Sequence, residues 1–300
     1  ITYIGKEAFS FTPWLKARQA ENPLVIVNHI VVDGQTCTGD VVIPDGVTDI
    51  ANYAFSSDFG LVTACSTQMT SVTIPDSVTR IGSSAFSGCK GLRALDLPAS
   101  VKTIEDYAFN GDDGITELTL SEGLTSVGVG AFLRCSRIQS VTIPNTVTKM
   151  GYSAFEGCES LKTVTIGTGL TEIPASAFNK CAAIGEVEIP ANVTTVRESA
   201  FSACPSVRKL TLNEGLRISE YRAFNNCAYI EEIIIPNTVT EIGDYAFNGA
   251  SAAKKLTLGN SLTTIGQCAF LSCEGLTKVE IPETVTKIES SAFGRTGITT

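Results

Sequence analysis

The sequence has one histidine, His29, and one tryptophan, Trp14. A nucleophilic Ser or Cys needs a base beside it and a zinc site needs closely spaced Cys or His ligands, so this poverty counts against both. No Walker loop, dinucleotide fingerprint or HExxH motif occurs. Basic residues are in the minority, 22 Lys and Arg against 31 Asp and Glu, and the net charge of −9 with no basic stripe argues against nucleic acid as a partner. No apolar run approaches the roughly 18 residues of a membrane span. The first residues lack the charged start and apolar centre of a signal peptide. Ile1-Thr2-Tyr3-Ile4-Gly5 matches Val239-Thr240-Glu241-Ile242-Gly243, so the chain opens inside a repeat and reads as a mature or excised fragment.

What is abundant is repetition. The dipeptide Ala-Phe ends at Phe9, Phe55, Phe86, Phe109, Phe132, Phe155, Phe178, Phe201, Phe224, Phe247, Phe270 and Phe293, with a gap of 23 residues from Phe86 onward. A fixed period of this size means one supersecondary unit stacked many times. Hydrophobic residues make up 43% of the chain, enough for a continuous core. The expected fold is an α/β repeat solenoid, a single domain over residues 1–300.

The unit is clearest from Leu161 to Cys181. Leu161, Val164 and Ile166 give the L-x-x-V-x-I strand pattern of leucine-rich repeats, with Thr163 and Thr165 facing out. Gly167 follows where other units carry Pro44, Pro75, Pro98, Pro144, Pro190, Pro236 or Pro282, and a Pro cannot donate to a ladder, so the strand ends there. A second extended piece, Leu170 to Ile173, leads into Ala177-Phe178-x-x-Cys181, whose spacing suits a single helical or 3₁₀ turn. Pro units alternate with units carrying Ser121, Gly167, Asn213 or Gly259, which makes the working module a pair of turns, 46 residues long.

Two stretches depart from the period. Residues 10–43 replace one turn: Pro13 to Glu21 reads as a short helix with Pro in its first turn, and Leu24 to Gly34 as a β-hairpin turning at Asn28-His29. This insert is expected to cover one end of the stack. Residues 56–70 form a polar loop extension that contains Cys65.

Seven of the ten cysteines, Cys89, Cys135, Cys158, Cys181, Cys204, Cys227 and Cys273, stand three residues after the repeat Phe. Equivalent atoms in stacked turns lie about 4.8 Å apart and point the same way, whereas a disulfide wants Cβ atoms about 3.8 Å apart. The ladder is therefore expected to stay reduced and to serve as packing. Asn110-Gly111-Asp112-Asp113-Gly114 offers oxygen ligands without the spacing or closing Glu of an EF-hand, and reads as turn chemistry. No catalytic residue, metal or cofactor is expected.

Variation between turns is concentrated on the outward strand face. Two columns of outward residues, about ten strands and roughly 50 Å long, form the expected binding ribbon. The candidate ligand-binding residues are Glu117, Thr142, Thr163, Thr165, Glu186, Glu188, Lys209, Thr211 and Glu232. Neither column carries the aromatics that stack on sugars.

Units such as Val141-Thr142-Ile143-Pro144-Asn145-Thr146-Val147-Thr148-Lys149-Met150-Gly151-Tyr152-Ser153-Ala154-Phe155-Glu156-Gly157-Cys158 resemble the BspA-like leucine-rich repeats of bacterial surface proteins, and the insert from Thr12 to Asn28 resembles one found among such repeats in intestinal bacteria. The resemblance implies a right-handed superhelix, export to the cell surface or medium, and a protein ligand such as host matrix or another cell surface. It transfers no functional residue. The expected activity is an adhesion-type module acting as a monomer; a passive spacer or stalk, or carbohydrate binding through the insert around Trp14, are the alternatives.

Overall fold

The structure is a computed structural model that describes residues 3–5, 8–56 and 68–299. The chain falls into two compact units, Ile1–Cys158 and Glu159–Thr300. Each is a run of solenoid coils, and in each the coils are joined by three sets of hydrogen bonds.

The first set links the short second strand of each coil. In the first unit these strands form a seven-stranded sheet, and its coil strands run in parallel from Asp49–Ile50 through Arg80–Ile81, Thr103–Ile104 and Ser126–Val127 to Lys149–Met150. The second unit has a six-stranded equivalent from Glu172–Ile173 to Lys287–Ile288. Each strand has only two residues, too short to persist alone, so the ladder depends on the stacking of the coils.

The second set runs through the Ala-Phe turns. Single i→i+3 bonds such as Cys181 N–H to the Phe178 carbonyl, 3.3 Å, form the turn. Residues two before and two after the Phe are left-handed, as Ser176 (φ 55°) and Lys180 (φ 61°) are around Phe178. A left-handed residue opposes the winding that would carry the turn on into a helix, so the segment stays flat enough to stack. The N–H groups of Ser176, Phe178 and Lys180 then donate to the carbonyls of Glu198, Ala200 and Ser202 in the following coil at 2.9, 2.8 and 2.9 Å. In the first unit Tyr107, Phe109 and Gly111 donate to Val129, Ala131 and Leu133 in the same way.

Between these ladders lies the core. Phe86 and Phe109 stack with ring centroids 5.2 Å apart and planes 3° from parallel, and Phe247 and Phe270 do so at 5.5 Å and 2°. Phe86 through Phe270 are fully buried along the chain, whereas Phe293 is half-buried.

The third set, between the outward-facing first strands, is interrupted. In the first unit Gly39–Val42 pairs with Met69–Thr73 and Ala94–Asp96 with Glu117–Thr119; in the second Glu186–Ile189 pairs with Lys209–Leu212 and Glu232–Ile234 with Lys255–Thr257. These strands therefore stand in two-stranded ladders rather than in one continuous ribbon. The cause is the Pro slot. Asn213 N–H donates back to the Ile189 carbonyl at 3.2 Å, but Pro236 in the next coil has no N–H with which to repeat that bond toward Leu212. The two-turn module thus appears as hydrogen bonding. Gly39–Val42 and Met69–Thr73 pair although both turns carry Pro, and their register is shifted at Gly39/Asp40.

The insert comprises α1 (Pro13–Glu21), β1 (Val25–Val27) and β2 (Ile30–Asp33). Thr12 caps α1 by accepting the Leu15 N–H at 3.1 Å. β1 and β2 are antiparallel, and Asn28 (φ 45°) and His29 (φ 65°) are both left-handed, the requirement of a type I′ turn. β2 pairs in parallel with Asp49–Ile50, so the hairpin supplies the two strands at one edge of the seven-stranded sheet. Gly34 follows, where an added Cβ would fall 2.2 Å from the Phe55 ring; only glycine lets the hairpin close over that ring.

Candidate functional site

The expected binding residues occupy exposed strand positions. Glu117 and Thr142 lie on the first unit, and Thr163, Thr165, Glu186 and Glu188 on the second, all exposed. Thr211 and Glu232 are half-buried, and Lys209 is exposed. Alternation puts Val187 and Ile189 inside and Glu186 and Glu188 outside, as the pleat requires.

The charges on this face are paired. Glu186 and Lys209 are register partners with charges 3.6 Å apart, and Glu232 and Lys255 are partners at 2.5 Å. Glu188 accepts a hydrogen bond from the Asn213 side chain at 3.1 Å. Where the first-strand ladder breaks, a groove opens. One of about 390 Å³ lies between the Lys209–Leu212 and Glu232–Ile234 strands, bordered by Arg208, Thr211, Glu231 and the exposed Ile234. Another, about 550 Å³, lies beyond Lys255–Thr257 and is lined by Lys278, Glu280 and the exposed Ile281.

Other groupings were not legible in the sequence. In the second unit Arg197 bridges Glu172 and Glu220 at 2.5 and 2.8 Å. Arg222 stacks over Tyr221 and Tyr245, 4.8 and 5.5 Å from the ring centroids. In the first unit Arg80 holds the Asp49 carboxylate in two bonds, 2.6 and 2.7 Å, and pairs with Glu105 at 2.9 Å. A cavity of about 660 Å³ opens beside α1, with the buried Asp33 in its lining.

The cysteine ladder differs from expectation at one end. Cys135, Cys158, Cys181, Cys204, Cys227 and Cys273 are free and buried, but Cys89 is disulfide-bonded. Its partner is none of the other ladder cysteines, so the distance argument against pairing between stacked equivalents stands; that argument did not reach a cysteine off the ladder. The loop extension and Cys65, except for its margins, lie outside the described residues. The free thiols also do more than fill space. Cys135, Cys158, Cys204, Cys227 and Cys273 donate to the Phe carbonyl of the preceding coil at 3.0 to 3.4 Å. Burial pushes the Cys227 and Cys273 thiols up to about 12, which makes them poor nucleophiles.

Asp112 takes the cysteine slot in one coil and is fully buried. Desolvation raises the carboxyl well above its usual range and the nearby charge of Asp113 adds to the shift; neither carboxyl oxygen has a hydrogen-bond partner among the described residues. The Asn110–Gly114 run thus points one of its carboxylates into the core. Among the described residues no cluster of three or more His, Cys, Asp or Glu is placed to hold a metal ion.

Repeated coils, a Phe and Cys core and an outward strand face define a leucine-rich-repeat solenoid. Residues 63–185 and 171–299 match the BspA type leucine rich repeat region model, in six copies, and the chain belongs to that family. A leucine-rich repeat protein from Bacteroides ovatus is similar, with 28% identity and a TM-score of 0.70 over 82% of this chain and 61% of that one. The chain thus spans less than two thirds of that protein. A leucine-rich cell surface protein from Faecalibacterium prausnitzii is similar at 27% identity and a TM-score of 0.54, over 85% of this chain and 78% of that one. No curated protein matches.

Proposed function

We propose that the chain is an exported or cell-surface interaction module that binds a protein ligand on its outward strand face. The observation that carries this reading is the pair of consecutive ladders in the second unit, where Glu186–Lys209 and Glu232–Lys255 present the same charged rung and the groove between the ladders leaves Ile234 exposed. A rigid backbone holds these side chains in place, so little ordering entropy is lost on binding. Alternating charge around an apolar strip favours a protein surface of mixed charge over a polyanion. The family membership and the cell-surface neighbour support display outside the cell. No helix among the described residues is long and apolar enough to cross a membrane.

The test reverses Glu186, Glu188 and Glu232 to Lys together and measures adhesion to matrix proteins and to partner cells. Loss of adhesion with the circular dichroism spectrum unchanged is the expected result. Unchanged adhesion moves the ligand site off this face, and absence of adhesion in the parent protein leaves the spacer reading.

A further inference from the structure

The cavity beside α1 has chemistry that the strand face lacks. Its lining brings together the approach to the helix (Ser10, Phe11, Thr12), the helix itself (Pro13, Leu15, Lys16, Gln19) and the exit of the hairpin (Asp33, Gln35). Two segments separated in sequence therefore converge on it, both within the first unit. About 660 Å³ is the size of a site for a small molecule or a long side chain.

Asp33 is 4% exposed. Its Oδ2 accepts from Gln19 Nε2 at 2.8 Å, a bond that ties the helix to the hairpin, and its carboxylate also accepts from the Gln35 backbone. A carboxylate has about four lone-pair sites, so two bonds leave it acceptor capacity to spare. Gln19 spends an N–H on Asp33, and Gln35 Nε2 donates to the Ser56 carbonyl at 3.0 Å. Each amide thereby retains its oxygen as an acceptor. Thr12 is likewise committed: its hydroxyl donates to the Phe9 carbonyl at 2.7 Å and accepts from Leu15 N–H. The polar part of the lining is rich in acceptors, while Phe11, which is 82% exposed, Pro13 and Leu15 supply an apolar wall.

We propose that this cavity binds a cationic side chain, lysine or arginine, of a partner protein, with Asp33 taking the charge and the apolar wall taking the aliphatic stem. Burial holds the Asp33 carboxyl above its ordinary range in the free protein, against the pull of its two hydrogen bonds. A cation placed beside it opposes that shift by charge attraction and favours the ionised form. Lys16, exposed on the helix side, is the one cation in the lining among the described residues and opposes the incoming charge. The site is independent of the strand face: either can fail without the other.

The experiment titrates the intact chain with N-acetyl-lysine methylamide and N-acetyl-arginine methylamide, following the Gln19 side-chain amide by ¹⁵N NMR. N-acetyl-leucine methylamide and N-acetylglucosamine serve as neutral probes. Saturable shifts with the cationic probes alone are expected, with Kd on the order of millimolar for so small a ligand. Asp33→Asn, nearly isosteric, should weaken binding roughly tenfold or more. Lys16→Glu should tighten it, which provides a second reading should Asp33→Asn fail to fold. Lowering the pH through the raised Asp33 range should weaken binding in the parent and leave Asp33→Asn unaffected. Equal shifts with the neutral probes, no saturation with either cation, or a Lys16→Glu variant that binds no better would each overturn the assignment.

Discussion

Glu186 and Lys209 sit opposite each other in a two-stranded ladder, and Glu232 and Lys255 repeat the relation in the next ladder of the same unit. The Glu186–Lys209 charges are 3.6 Å apart with both side chains largely exposed, so their contribution to stability is at most about 1 kcal/mol. Their effect is on the surface, where Glu and Lys alternate from strand to strand.

Core packing sets the first prediction. Phe178 is fully buried, and Phe178→Ala should cost about 3–5 kcal/mol. Phe293 is half-buried and should cost much less. Denaturant melts of both variants compare the losses; equal losses would mean that Phe293 is as well packed in solution as the interior rings.

The cysteines give a count. Cys89 is disulfide-bonded and eight cysteines are free and buried. The unfolded, unreduced chain should therefore offer eight thiols to a labelling reagent, rising on reduction, and the native chain few or none. Ten labelled thiols before reduction would show that Cys89 is free in solution.

Asp112 supplies a pH dependence with a definite sign. Its folded pKa is raised, so the unfolded carboxyl, near 3.9, ionises first as pH increases. Its contribution to stability is intact below that value and declines as pH rises toward the folded pKa. Asp112→Asn should raise the midpoint at pH 7 and flatten this part of the profile, by about 2–4 °C per kcal/mol recovered. Glu214 works in the other direction, since backbone N–H groups of Asn237 and Thr238 lower its pKa. Its contribution is present above the unfolded carboxylate pKa and is lost as pH falls through the lowered value. Thermal melts from pH 3 to 8 on Asp112→Asn and Glu214→Gln separate the two; a midpoint for Asp112→Asn no higher than the parent's at pH 7 would refute a buried, raised carboxyl.

The Pro slot can be tested by moving it. Asn213→Pro removes the donor to the Ile189 carbonyl and should cost about 0.5–1.5 kcal/mol for the lost bond. Amide exchange should speed up locally, in Lys209–Leu212, without loss of the neighbouring Phe stack. Unaltered exchange would show that the ladder does not depend on that bond.

Much of this architecture was legible from residue spacing. The Phe period gave the coil, inward and outward alternation gave the strand face, and the Pro alternation gave the two-turn module. Pro13 and the polar Asn28-His29 pair marked the helix and hairpin of the insert. The left-handed residues were only partly advertised: Gly88, Gly111, Gly157 and Gly249 stand two residues after the repeat Phe, but Ser176, Lys180 and Tyr107 hold a positive φ without being glycine. The Glu186–Lys209 neighbourhood follows from the 23-residue period, which puts both at one slot of consecutive coils; that they fall within a hydrogen-bonded ladder depends on which strands pair. The cavity beside α1 was hidden, since Asp33 and Gln19 come together only when the hairpin folds against the helix.

The interrupted strand ladder also constrains how such an array can change length. Removing one coil between Glu186–Ile189 and Glu232–Ile234 would set the Pro190 coil directly against the Pro236 coil and eliminate the Glu186–Lys209 rung. Removing two coils at a time would restore the same neighbours, the same rung and the same groove. The pattern of rungs and grooves on this face is therefore inherited in pairs of coils, while the Phe core would accept them singly.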